Sequence, residues 1–543
     1  KRQDDTLRVA ENTQGDSVNG GDGSGDVVEV VRDADMQLVA EPGGIATNQH
    51  TMTAWGGDTV RNTERVVMTG GAGDNELDAS AATANVTLAG GGGSDSLFGG
   101  SGNDVLIPGS DVDAAIGNAG DDEIQVTSDG AADTLQGDAG TNQLTYSGNA
   151  STVTLSDTSF TAGGVADTIS GITAADLTDT GGASTYTVRG FTGTVDALLG
   201  AGADSLLALA STTGTFDGGD SNDDIDLGTN VPGNVTITNT SLGAMTIAAF
   251  ESMDASGDGN SNIFDGSGTS MLLSLDGGGG TDTLTGGSAA DSLSGSGGSD
   301  TITGNGGNDQ IDGGSGDDTI DGSGGTDEIA MTVSGAMTVT NTAATGAGTD
   351  TLSSIESAQL TGDTTSDTID ASGFSGTTTI NASSGNDVIT GGSGSNTITA
   401  GAGDDVIDGT AGTDTIILAI ASPATLTNTA ATGEGADTIT QIEQAAMTGT
   451  PGNDVIDTTL FSGSVTLDAG AGDDNVATGS GADTIESGAG DDTVIAGAGN
   501  DVLTSASGND GIDGSDGNDT ITGSSDPENL QGSGGDDTIV GGG

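Results

Sequence analysis

Of the 543 residues, 101 are Gly, aromatic residues make up 2%, and there is no Cys, which excludes disulfides, thiolate metal sites and a core packed from large rings. Acidic residues number 82 against 7 basic ones, and the resulting charge of −75 excludes nucleic acid as a partner and makes the bare chain self-repelling. No run approaches the 18 apolar residues that a membrane span requires, so none is expected.

Residues 1–20 are read as an N-terminal extension, strand-like around LRVAEN. Six of the seven basic residues (Lys1, Arg2, Arg8, Arg32, Arg61 and Arg65) lie in the first 65 positions. A first Gly-rich nonapeptide spans Gly21–Glu29. His50 is the single histidine, close to Trp55 in NQHTMTAWGG, and the pair is read as filling an irregular first module. One histidine cannot make an HExxH zinc site, and no G-x-S-x-G elbow is present, so the chain is not expected to be an enzyme.

The first registered block runs from Gly90 to Gln125 in four nonapeptides, the third of them degraded to PGSDVDAAI. Isolated copies follow at Leu199–Leu207 and Gly218–Asp226. From Gly277 to Ala330 six copies read GGGGTDTLT, GGSAADSLS, GSGGSDTIT, GNGGNDQID, GGSGDDTID and GSGGTDEIA. Four more fill Ala382 to Ile417, one stands alone at Gly449–Asp457, and eight unbroken copies run from Ala469 to Val540. Position six is Asp almost throughout, and position eight is usually Leu, Ile or Val.

A longer repeat overlies these. Asp327 to Asp387 reappears 87 residues later, with TNTAATG, GAGTDTLSSIES and IDASGFSG matched by TNTAATG, GEGADTITQIEQ and IDTTLFSG. A hydrophobic residue or Thr followed by Glu recurs at Glu64, Glu251, Glu356 and Glu443, and Phe374 and Phe461 of the FSG segments are read as core plugs. The chain is divided accordingly into 1–20, a first module 21–141, a second 142–222, a third 223–326, a fourth 327–413, a fifth linker 414–468 and a terminal block 469–543.

The chemistry of one nonapeptide is that of a hard cation. Glycines permit positive φ and let the chain curl tightly. Asp and peptide carbonyls offer oxygen ligands, which suit Ca²⁺ rather than a softer metal. The following x-U-x tripeptide alternates as a short strand with its middle side chain inward. One inward aliphatic in nine residues does not offset backbone ordering, and stacked Asp carboxylates repel, so folding is expected to require the cation. The candidate metal ligands are Asp95, Asp104 and Asp122 in the first block, Asp223 in the isolated copy, and Asp282, Asp291, Asp300, Asp309, Asp318 and Asp327 in the second block. They continue with Asp387, Asp405 and Asp414, then Asp454, and then Asp474, Asp483, Asp492, Asp501, Asp510, Asp519 and Asp537. Asp350 and Asp437 in the linkers are further candidates. A lone Asp is ordinarily a solvated turn residue; here Gly, Asp and the inward aliphatic recur together.

The pattern G-G-x-G-x-D-x-U-x resembles that of the RTX, or haemolysin-type, calcium-binding repeat family, and the spacers are similar to that family's spacer strands. The resemblance implies an all-β parallel β-roll, or β-solenoid, with irregular strand-rich linkers, in which two nonapeptides make a rung and turns n and n+2 enclose one ion. On that rule the four blocks offer about 14 sites. Two turns are expected to be poor: 108–116, with Asp111 in place of Gly, and 523–531, with Pro527 and Glu528.

The resemblance also implies secretion through a type I channel and folding outside the cell. The expected function is a calcium-dependent extracellular structural protein of a surface layer, sheath, matrix or filament. Self-association, head to tail or in a lattice, and cell-surface polysaccharide are the expected partners beside Ca²⁺. The alternatives are a calcium-binding module belonging to a larger secreted toxin, hydrolase or adhesin, and, more remotely, a Thr-rich ice-binding region.

Overall fold

The computed structural model describes residues 6–9, 17–19, 27–31, 36–40, 49–52 and 58–61. From 65 onward it describes all but 209–211, 219–221, 229–230, 232–233, 239–240, 243–244, 249, 333 and 543. The first nonapeptide at 21–29 and Trp55 therefore fall wholly or partly outside the described residues, as does the turn of 218–226 in part. The chain divides into two compact units, residues 1–258 with 264–274, and residues 259–263 with 275–543. Both are β-solenoids, and the described residues form strands and turns without helix. Among them no helix is long and apolar enough to cross a membrane.

In the second unit, alternate x-U-x tripeptides stack on opposite sides of a narrow core. Thr283–Thr285, Thr301–Thr303 and Thr319–Asp321 pair in parallel on one side. Ser292–Ser294, Gln310–Asp312 and Glu328–Thr332 do so on the other. Two nonapeptides thus close one rung, as the family resemblance implies. The register superimposes position eight on position eight: Leu284, Ile302 and Ile320 form one inward column, and Leu293, Ile311 and Ile329 the other, none more than 1% exposed. Each buried aliphatic contributes about 1.5–3 kcal/mol. The first unit is built likewise, with Ser96–Phe98, Ala114–Ile116 and Thr134–Gln136 stacked in parallel on one side and Val105–Ser110, Glu123–Val126 and Gln143–Gly148 on the other.

The linkers are three-stranded meanders inserted into one wall. In the second unit Ala336–Thr340, Ala343–Thr345 and Thr349–Ser353 pair antiparallel in succession. The last of them lies in parallel beside Thr319–Asp321, and the first beside Thr368–Gly373. The opposite wall spans the same interval with Ser357–Thr361 alone, between Glu328–Thr332 and Thr377–Asn381. The arrangement recurs at Ala424–Thr427, Ala430–Thr432 and Ala436–Thr440. In the first unit Thr152–Leu155, Ser159–Ala162 and Ala166–Ser170 repeat it.

Phe374 and Phe461 are each 1% exposed and fill the core beside the meanders, as read from the FSG segments. His50 lies on the strand Gln49–Met52, paired antiparallel on both sides, and its side chain is outside the described residues.

Candidate metal centres in the stacked turns

The Gly-rich half of each nonapeptide forms a turn, and turns 18 residues apart lie against one another. Close stacking favours glycine at position four of most turns. Gly316 has φ +133°, and a Cβ there would overlap the Gly298 carbonyl oxygen. No L side chain fits such a place without strain.

A ladder through the Asp residues holds the turns together. The amide of Asp282 donates to Oδ1 of Asp300 at 2.7 Å, and that of Asp300 to Oδ1 of Asp318 at 2.8 Å. On the other side Asp291 donates to Asp309 at 2.8 Å and Asp309 to Asp327 at 2.9 Å. The terminal block repeats this from Asp474 to Asp492 to Asp510, and from Asp483 to Asp501 to Asp519, at 2.8–3.0 Å. Every aspartate named above from the blocks and isolated copies takes this place, including Asp95, Asp104, Asp122, Asp223, Asp387, Asp405, Asp414, Asp454 and Asp537. The preceding residue reaches the opposite way: Asn308 Oδ1 accepts the Thr326 amide at 2.9 Å, and Asn518 Oδ1 accepts that of Asp536 at 2.8 Å.

The amide fixes one carboxylate oxygen and leaves the other aimed inward. Oδ2 of Asp300, Asp309, Asp318 and Asp327 is buried with no hydrogen-bond partner. It faces another acceptor. A Cβ built on Gly295 would lie 2.6 Å from Asp300 Oδ2 and 2.6 Å from the Gly313 carbonyl oxygen of the next stacked turn. At Gly117 a Cβ would likewise meet Asp122 Oδ2, which has no hydrogen-bond partner, and the Gly137 carbonyl oxygen at 3.0 Å. Two buried acceptors share a space that a side chain would fill. Such an arrangement is unfavourable unless something positive joins them.

Asparagine turns serve as internal controls. Asn396 occupies position six of 391–399, and its Oδ1 accepts the Gly392 amide at 2.9 Å. Its Nδ2 donates to the carbonyls of Gly392, Gly394 and Gly409 at 3.1, 3.0 and 2.9 Å, and to Asp414 Oδ1 at 2.7 Å. Asn142 Nδ2 likewise donates to the Gly171 carbonyl at 2.9 Å. At these two turns the facing carbonyl is satisfied within the protein. The pair of turns 391–399 and 409–417, counted among the 14 on the n/n+2 rule, is therefore filled by an amide.

The carboxylates carry the electrostatic mark of this crowding. Burial, with the neighbouring Asp291 and Asp327 carboxylates adding to it, pushes Asp309 up to about 6 against the lowering effect of the Asp291 amide. Burial likewise takes Asp104, Asp405 and Asp501 to about 6.

The ladder also takes in the linker candidates Asp350 and Asp437 and several aspartates not singled out from the sequence. Asp113, in the degraded repeat, accepts the Asp95 amide at 2.7 Å, and burial pushes its carboxyl up to about 7. Asp111 stands at φ +80° where Gly was expected, so the turn keeps its course. Asp350 and Asp437 join through the amides of Asp318 and Asp405, both at 3.1 Å. Their segments TGAGTDTLS and TGEGADTIT are nonapeptides with Thr in the first position. Asp367, Asp133 and Asp167 also lie on the ladder. Glu528 instead accepts from the Ser505 hydroxyl and the Ser524 amide, both at 2.5 Å. Among the described residues no group of three or more carboxylate or imidazole side chains clusters as a metal site. Each centre is one carboxylate oxygen set against turn carbonyls.

Segments 84–115, 276–311, 294–329, 372–407, 381–416, 448–485, 478–512, 486–521 and 522–543 match the family model for the RTX calcium-binding nonapeptide repeat. Comparison with curated proteins gives no match.

Proposed function

We propose, from the RTX calcium-binding repeats that these segments carry, that the chain is a calcium-folded extracellular structural protein. One observation carries the reading: buried Asp Oδ2 atoms face carbonyl oxygens with no donor between them, while Asn396 and Asn142 at the same place supply the donor themselves. The stacked-turn Asp residues and the facing turn carbonyls would hold Ca²⁺, a hard cation that accepts this mixture of oxygen ligands. Bound calcium supplies the positive charge that the opposed oxygens require.

The scaffold role is supported by repeats that run through both units and, among the described residues, leave little besides stacked rungs and meanders. Catalysis is not part of this reading. RTX repeat proteins are typically exported by type I secretion, and a chain of charge −75 stays expanded until calcium offsets part of that charge outside the cell. Self-association of the folded solenoid into a surface layer, sheath or filament completes the proposal.

A calcium titration followed by circular dichroism and light scattering tests it. Coil in EGTA, cooperative β-structure with calcium and growing particles would support the whole reading. Folding to a stable monomer would remove assembly and favour a module of a larger secreted protein. Full β-structure in EGTA would overturn the calcium-folding account.

A further inference from the structure

We propose a second kind of calcium centre, built where a nonapeptide turn meets a linker and completed by Glu356 in one copy and Glu443 in another. The inference rests on the calcium reading above and assigns residues outside the nonapeptide pattern.

The turn 322–327 ends the second block, and no six-residue Gly-rich turn stacks on its far side. Three residues, Ser354, Ile355 and Glu356, take that place. Glu356 Oε2 accepts the Asp327 amide at 3.0 Å, the bond that an Asp Oδ1 accepts elsewhere. Ser354 adopts φ +54°, a left-handed conformation in a residue that is not Gly. A Cβ on Gly322 would overlap the Ser354 carbonyl oxygen and lie 2.5 Å from Asp327 Oδ2. The Ser354 carbonyl therefore stands where the Gly313 carbonyl stands opposite Asp300.

Asp327 is fully buried, and its Oδ2 has no hydrogen-bond partner. That orphaned oxygen separates the site from a mere group of surface acids.

The second copy has the same parts. Asp414 is fully buried with Oδ2 unpartnered, Glu443 Oε2 accepts its amide at 3.0 Å, and Gln441 is again left-handed at φ +54°. A Cβ on Gly409 would overlap the Gln441 carbonyl oxygen and lie 2.8 Å from Asp414 Oδ2. Ser354 and Gln441 share no side-chain chemistry, yet both accept left-handed backbone to present a carbonyl. Strain of this kind persists where the surroundings require it. The longer Glu side chain spans the gap left by the shortened turn and restores the carboxylate that the next turn would have carried, so the junction offers Asp, Glu and carbonyl oxygens to a single Ca²⁺. Glu356 thus stands in for the Asp of the missing next turn, as Asp318 stands beside Asp300 within the block.

Calcium stoichiometry of the full chain, measured by calorimetry and by metal analysis after gel filtration, tests the proposal. Glu356→Gln retains an oxygen to accept the Asp327 amide but loses the charge. It is expected to bind one Ca²⁺ fewer or to weaken one site at least tenfold, and Glu356→Gln with Glu443→Gln to affect two. Glu328→Gln, on an adjacent strand, is expected to leave the count unchanged, and Asp492→Asn to remove a nonapeptide ion. Unchanged binding in the Glu356 and Glu443 variants, with a loss in Asp492→Asn, would overturn the junction centre while sparing the nonapeptide reading. No calcium bound by the wild-type chain would overturn both. If Glu356→Gln fails to fold, Glu443→Gln alone gives the same decision.

Discussion

Nδ2 of Asn396 lies 2.9 Å from the carbonyl oxygen of Gly409, at the place where an aspartate would set oxygen against oxygen. The amide does without a metal what the neighbouring turns cannot. Asn396→Asp should therefore create a calcium site: metal analysis is expected to find one additional Ca²⁺, and the variant should depend more steeply on calcium for folding. An unchanged count would show that the facing oxygens are not what recruits the ion.

Backbone crowding at position four gives a second test. Gly316→Ala places a Cβ on the Gly298 carbonyl at φ +133°, whereas a Cβ on Gly306 would meet no atom nearer than 3.7 Å. Gly316→Ala should cost about 1–3 kcal/mol or more, and Gly306→Ala well under 1 kcal/mol. Calcium midpoints from circular dichroism would separate the two, and equal midpoints would contradict the stacked-turn geometry.

Protons should replace calcium in part. Burial first, and neighbouring carboxylates after it, raise Asp309, Asp405 and Asp501 to about 6, above the unfolded value of roughly 3.9. A group raised on folding stabilises the fold fully below its unfolded pKa, and that contribution is lost as pH rises through the folded pKa. In EGTA, β-structure should accordingly grow as pH falls from 7 towards 4. Over the same interval calcium affinity should fall, because protons compete for the same oxygens. A metal-free chain whose dichroism is flat across this range would refute the expectation.

The inward columns should also matter one residue at a time. Ile320 is 1% exposed between Ile302 and Leu352, so Ile320→Ala should destabilise by about 2–5 kcal/mol. Thr319→Ala, its exposed neighbour, should change stability by no more than about 0.5 kcal/mol. Thermal melts at fixed, saturating calcium would compare them.

The rungs and most of the ladder were legible in the sequence because their signal is periodic: Gly, Asp and an inward aliphatic recur at fixed offsets, so Asp300 and Ile302 declare their places together. The meander was harder to read. TGAGTDTLS is itself a nonapeptide, but Thr345 hides its first position, and no local pattern reveals that the last strand of the meander docks on the preceding rung. Glu356 was visible only as a recurring residue, since its role depends on a turn three residues shorter than the one it replaces. Asn396 differs from Asp by one atom type, and the n/n+2 rule counted its turn before the direction of its amide could be known.

The unequal walls at each meander have a consequence for how the chain finds its alignment. Within a block, a slip of one rung superimposes Gly on Gly, Asp on Asp and Ile on Ile, so neighbouring alignments are nearly degenerate in energy. Three strands on one wall against Ser357–Thr361 on the other cannot be superimposed on any nonapeptide rung. Each meander thus acts as a key in a periodic lock, confining slippage to the block between two keys and leaving one alignment in which every amide of the ladder meets its oxygen.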